Sequence, residues 1–258
     1  MKKLNKTKNN QGQVAILVLL VSAVLLTLGL SASKKTILDT KINTDEELLK
    51  EAFNAAESGI NNYITNNVGQ YSDNSGGNAV VSSVDIGGNT NELVTEGIIP
   101  VNTSEFFWLV SHKDSDGTVD LNNYYNSNSF SISVDTDFTG ALKITYFYLT
   151  VGGVYESKTL GRNFGSGTFN GFTSVPSGTD EVTLTVDPGS KPLLLVVTPL
   201  GGSTKLTLSG ASTFPKQGQE LTSVGSVGDG IKTQIKTRNV YQIPLFFTEA
   251  VTVKNNIQ

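Results

Sequence analysis

Three acidic residues stand in a pattern that could hold a hard cation. Asp114, Asp116 and Asp120 lie at odd offsets around Gly117 in the run Lys113-Asp114-Ser115-Asp116-Gly117-Thr118-Val119-Asp120. Oxygen ligands at alternate positions around a glycine turn are what Ca2+ takes. Aligned on the helix-flanked calcium loop, however, His112 falls at the first ligand position and Asn123 at the last. Asp and Glu are required there. The flanking sequence is strand-like, not helical. The run therefore reads as an acidic hairpin turn, with calcium at Asp114, Asp116 and Asp120 as the weaker alternative.

Other chemistry is sparse. The chain has no cysteine and one histidine, His112. Disulfides, thiolate metal sites and thiol nucleophiles are excluded, and no histidine cluster is available. His112 has no recognisable nucleophile or carboxylate partner in the sequence, so it takes no catalytic role. Gly87-Gly88 lacks the strand-to-helix context of a phosphate loop. Trp108 beside Phe106 and Phe107 could form a sugar-stacking platform, but a lone tryptophan in a strand more often belongs to a core. No catalytic residue, cofactor or metal is assigned, and the chain does not read as an enzyme.

The elements that carry these residues begin with a lysine-rich leader. Lys2, Lys3, Lys6 and Lys8 precede Gln11-Gly12-Gln13, and from Val14 to Leu30 the chain runs VAILVLLVSAVLLTLGL without a charge. Such a run lies at the lower end of what crosses a bilayer, and in lipid it must be helical, because every backbone polar group needs an internal partner. Four lysines before the segment against Lys34 and Lys35 after it place the N-terminus in the cytoplasm and the rest outside. A secretory signal peptide cut near Ser31-Ala32-Ser33 and an uncleaved anchor are the plainer readings.

Helical sequence continues to about Asn66. Leu49, Phe53, Ala56 and Ile60 follow at three- and four-residue steps and define one face. Ala52, Ala55, Ala56, Ser58 and Gly59 keep the surface thin, so another backbone could approach. Gly59 costs up to about 1 kcal/mol in a helix relative to Ala, which implies a packing reason. Thr44-Asp45-Glu46-Glu47 resembles a helix start, yet Leu38 and Ile42 hold the apolar phase upstream. One helix of about 80 Å is expected, membrane-embedded over about 14–33 and amphipathic over 34–66. The packing residues are Leu49, Phe53, Ala56, Gly59 and Ile60, with the lower half of the helix buried under the protein's own head.

A basic leader ending in Gly12, an apolar helix directly after it, and AFNAAESGI at Ala52–Ile60 together resemble the PilX-type minor pilins of type IV pilus systems. The resemblance covers Gln11 to Ile64, about a fifth of the chain. It implies cleavage between Gly12 and Gln13 by a prepilin peptidase, leaving 1–12 as leader peptide. It further implies a single-pass protein of the inner or cytoplasmic membrane, N-terminus inside, later built into a cell-surface filament by other pilin subunits and the assembly machinery. Major pilins carry a glutamate at the fifth mature position; here that residue is Leu17. A minor or tip subunit is therefore the expectation.

After Asn67 the composition changes. Residues 67–78 read as a polar, glycine-bearing linker and 79–258 as a β-rich extracytoplasmic head. About ten strands are expected, among them Ala79–Ile86, Phe106–Ser111, Ser129–Asp135, Leu142–Val151 and a long Ile231–Ile243, with a last strand near Ala250–Gln258. Gly152-Gly153 and Gly201-Gly202 mark turns between strands. The fold class is α+β: a long transmembrane-to-amphipathic helix followed by a mostly antiparallel, sandwich-like head. The net charge of −4 contains the four leader lysines; without them it falls to −8. An acidic head argues against nucleic acid as a partner. The alternative to a pilin is a membrane-anchored surface β-sandwich that works as an adhesin or binding module.

Overall fold

A computed structural model describes residues 11–74, 76–113, 117–228 and 230–243. Among the described residues a single helix, α1 (Gln11–Asn66), is followed by strands alone. In chain order these are β1 (Gln70–Ser72), β2 (Gly77–Ile86), β3 (Glu92–Val94), β4 (Glu105–Trp108), β5 (Val110–His112), β6 (Val119–Tyr124), β7 (Ser129–Val134) and β8 (Gly140–Leu149). They continue as β9 (Tyr155–Phe164), β10 (Thr173–Ser174), β11 (Glu181–Thr185), β12 (Lys191–Leu200), β13 (Leu206–Gly210), β14 (Gly218–Val227) and β15 (Ile231–Val240). The sheet orders are β1-β2-β14-β15, β10-β9-β8-β12-β4, β11-β7-β13-β3 and the pair β5-β6. β9 and β10 pair in parallel, whereas β1–β2, β3–β13, β4–β12, β5–β6, β7–β11, β7–β13, β8–β9 and β8–β12 are antiparallel. The chain is thus α+β, with one long apolar N-terminal helix and mostly antiparallel sheets.

The helix does not restart at Thr44. Its hydroxyl donates back to the Thr40 carbonyl at 3.0 Å, as Thr40 does to Thr36 and Thr36 to Ala32. A capping threonine would instead accept from the turn ahead of it. The helix stops where Asn67 takes a left-handed conformation (φ 55°) and its amide closes on the Tyr63 carbonyl, a common helix terminator.

Two compact units form. The first takes the chain to Ser82 together with Thr222–Ile235, and the second takes Ser83–Leu221 and the chain from Lys236. This grouping differs from the expected division at residue 79, because the small face of α1 needs a sheet surface to bury it. The expected linker is also partly sheet: Gln70, Tyr71 and Ser72 pair with Val80, Ala79 and Asn78.

In the second unit, β12 lies between β8 and β4 and is buried on both faces. Leu195 and Val197 join one apolar cluster, Leu194 and Val196 another. The first cluster draws on both larger sheets of the unit, with Ile144 of β8 and Leu195 of β12 from one and Ile132 of β7 and Leu208 of β13 from the other. The Gly152-Gly153 turn closes a β8–β9 hairpin, with Gly153 at φ 77° and its amide donating to the Thr150 carbonyl. The Gly201-Gly202 turn instead carries the chain from β12 in one sheet to β13 in another. Phe106–Ser111 is broken into parts of β4 and β5, and β15 ends at Val240, short of Ile243. The expected strand at Ala250–Gln258 lies outside the described residues.

Candidate functional site

The first half of α1 offers its apolar side chains to the surroundings all round, with no part of the most apolar window buried in the protein. One helix is thus long and apolar enough to cross a membrane. Gly12 and Gln13 lie within the described part of this helix.

The second half of α1 has two distinct faces. Ala52, Ala55, Ala56 and Gly59 are buried. A methyl group placed on Gly59 would meet the Ala79 Cβ at 2.7 Å, the Ser223 Oγ at 3.1 Å and a Val81 methyl at 3.3 Å. A methyl group on Gly225 would run into the Ala52 carbonyl oxygen and lie 2.7 Å from the Ala56 nitrogen. Small residues therefore face small residues: Gly77, Ala79 and Val81 of β2, with Ser223 and Gly225 of β14, admit the helix backbone. Asn62 extends this contact by donating its side-chain amide to the Gln70 carbonyl of β1 at 3.2 Å.

The five expected packing residues divide between these faces. Ala56 and Gly59 are in the contact and Ile60 is half-buried at its border. Leu49 and Phe53 are not in it; they are 53% and 47% exposed. The buried strip is turned about a quarter of the helix circumference from the apolar stripe. Depth explains the shift, since only a face without large side chains can seat on this sheet. Leu38, Ile42, Leu49, Phe53 and Ile64 are left as an exposed apolar stripe.

In the second unit, Trp108 is 3% exposed and donates its indole N–H to the Tyr241 carbonyl at 3.3 Å. It is a core residue and offers no open stacking face. His112 stacks on Tyr241 at 4.0 Å and 12° and meets Trp108 edge-on at 4.5 Å. Burial lowers its pKa, favouring the neutral ring. Its buried Nδ1 has no hydrogen-bond partner among the described residues. Asp114 and Asp116 lie outside the described residues. Asp120 accepts from the Asn122 amide at 3.1 Å in a turn-type contact. Among the described residues no three His, Asp or Glu side chains converge as a metal site.

Sequence reasoning did not single out Gln217. Its side-chain amide accepts from the Trp108 N–H at 2.7 Å and donates to the Trp108 carbonyl at 2.8 Å. It occupies the place a neighbouring strand would take along β4. A glutamine separated from its partner by so much chain gives no local signal. Glu105 was also passed over. Burial raises its pKa, with Arg238 opposing the shift.

No family model, curated protein or solved structure matches this chain.

Proposed function

We propose that this chain is a structural subunit of a type IV pilus-type filament, a minor pilin or pseudopilin, held in the membrane by α1 before assembly. The observation that carries this reading is the unbroken helix Gln11–Asn66, apolar and unpacked in its first half and seated on a sheet through Ala52, Ala56 and Gly59 in its second. A simple anchor needs no rigid continuation into the folded part. A filament subunit does, because one rod must pass from lipid into a bundle of like helices.

The exposed stripe from Leu38 to Ile64 supports the same reading. It lies beside the small-residue face rather than on it, so seating α1 on the protein's own sheet leaves an apolar surface for neighbouring helices. Transfer of that surface from water gains about 25 cal/mol per Å2, whereas transfer of the first half from lipid gains little. Extraction from the membrane therefore requires work from a motor outside this chain. We read the second unit as a sandwich, since one buried cluster takes side chains from both of its larger sheets. With Leu17 in place of an acidic residue, a tip or minor position fits better than that of the main repeat.

Mass spectrometry of the N-terminal peptide of the native protein tests the proposal. A start at Gln13, with an N-methyl group, is expected. A start at Met1 or near Ser33 overturns it and leaves an anchored or secreted β protein.

A further inference from the structure

The second unit contains a cleft of about 410 Å3 in which two open strand edges meet. Edge strand β4 contributes Glu105, Phe106 and Trp108, edge strand β3 contributes Val94, and Arg238 and Tyr241 complete the wall. The direction of the free backbone groups follows from the ladder. In an antiparallel strand, successive residues turn their N–H and C=O alternately toward and away from the paired neighbour. Leu109 donates to Leu193, next to β12, whereas Trp108 bonds outward to Gln217. Phe106, two residues before Trp108, is therefore also turned outward.

On β3 the same logic holds. Thr95 donates to the Leu206 carbonyl and the Gly210 amide donates to Asn91, so residues 91, 93 and 95 face β13. Glu92 and Val94 face away. The Glu92 amide is taken by the Thr90 hydroxyl at 3.1 Å. Gln217 and Thr90 thus close one end of each edge, and the amides of Phe106 and Val94, turned to the cleft, take no partner among the described residues. Unpaired strand edges of this kind are templates for an added strand.

Charge narrows the occupant. Glu105 makes no hydrogen bond or ion pair with another described residue, although it lines a largely apolar wall. Glu92 lies on the same wall, and the one cation there among the described residues, Arg238, is engaged by Glu96 at 3.0 Å and Glu220 at 3.7 Å. A partly desolvated carboxylate whose facing cation, Arg238, is already shared with Glu96 and Glu220 favours an incoming cation. The chain itself is acidic, which favours a different, basic partner over a second copy.

We infer that this cleft receives one extended peptide segment of a partner protein, paired to the open edges at Phe106 and Val94, with a lysine or arginine side chain set against Glu105. The inference does not depend on the filament reading. The test uses the full chain in detergent micelles. The probe is a fluorescein-labelled peptide of alternating valine and threonine with a single central lysine, and its counterpart has glutamate at the centre.

The lysine peptide is expected to bind about tenfold or more tightly than its counterpart, to slow amide exchange at Phe106 and Val94, and to lose its advantage in Glu105→Gln. Val94→Pro removes an N–H that serves no ladder, so cooperative unfolding is retained while binding is lost. Failure of the lysine peptide to bind, equal binding of both peptides, unchanged binding by Val94→Pro, or Phe106 and Val94 amides already protected in the free protein each overturn the inference. Concentration-dependent dimerisation abolished by Val94→Pro would reassign the cleft to a second copy and also overturn it.

Discussion

Gly59 of α1 and Ala79 of β2 stand so close that a side chain at 59 would place its first carbon 2.7 Å from the Ala79 methyl. Non-bonded carbons prefer about 3.5–4.0 Å. The absence of a side chain at 59 is thus what lets the helix seat on its sheet. Gly59→Val should destabilise the first unit by about 1–3 kcal/mol, as overpacked cores do. Gly225→Ala, aimed at the Ala52 carbonyl, should act the same way. Thermal unfolding of the full chain in detergent measures both. An unchanged midpoint would show that the helix is not seated as described.

The Gln217 amide holds both backbone groups of Trp108 and also donates to the Pro215 carbonyl at 2.6 Å. Gln217→Ala leaves a buried N–H and two carbonyls without these partners. A loss of about 1–3 kcal/mol is expected, accompanied by faster amide exchange at Trp108. Denaturant unfolding with exchange read at that residue separates this from a general loosening.

Glu105 gives the molecule a pH dependence with a defined sign. Burial raises its folded-state pKa above the ordinary value of 4.5, with Arg238 only partly opposing. The folded protein therefore holds this proton more tightly than the unfolded chain. The associated stability is complete below 4.5 and is lost as pH rises through the raised folded value. Melting temperature should accordingly fall less over that interval in Glu105→Gln than in the natural protein. Equal slopes in the two proteins would show that other groups dominate.

Phe53 tests the exposed stripe. At 47% exposed it contributes little to the isolated fold, so Phe53→Asp should change stability by no more than about 0.5 kcal/mol. If the filament reading holds, the same change should abolish recovery of the protein in sheared surface filaments while leaving its membrane level intact. Normal recovery would remove the stripe from the assembly interface.

The long helix was legible because its determinants are local. An uncharged run from Val14 to Leu30, continuous apolar phase through Leu38 and Ile42, and good helix formers to Asn66 require no partner to be read. The strict alternation of Ser131–Val134 and Thr183–Val186 is equally local, and its apolar residues Ile132, Val134 and Leu184 are buried. The Gly152-Gly153 turn could be read as a hairpin because both of its strands are adjacent in sequence.

Tertiary structure decided what periodicity leaves open. The pattern placed Leu49 and Phe53 on the same face as Ala56, but a helix face is buried by whatever surface is offered to it. Here Gly77, Ala79, Ser223 and Gly225 form a shallow sheet that only Ala52, Ala56 and Gly59 can approach. The Gly201-Gly202 turn had the same local chemistry as the other hairpin turn, yet it changes sheets, because β12 is already flanked by β8 and β4 and has no free edge for β13. Gln217 and Glu105 owe their roles to groups distant in sequence, Trp108 and Arg238. Sequence determined which segments are helix and strand; packing decided which faces are covered and which edges are left open.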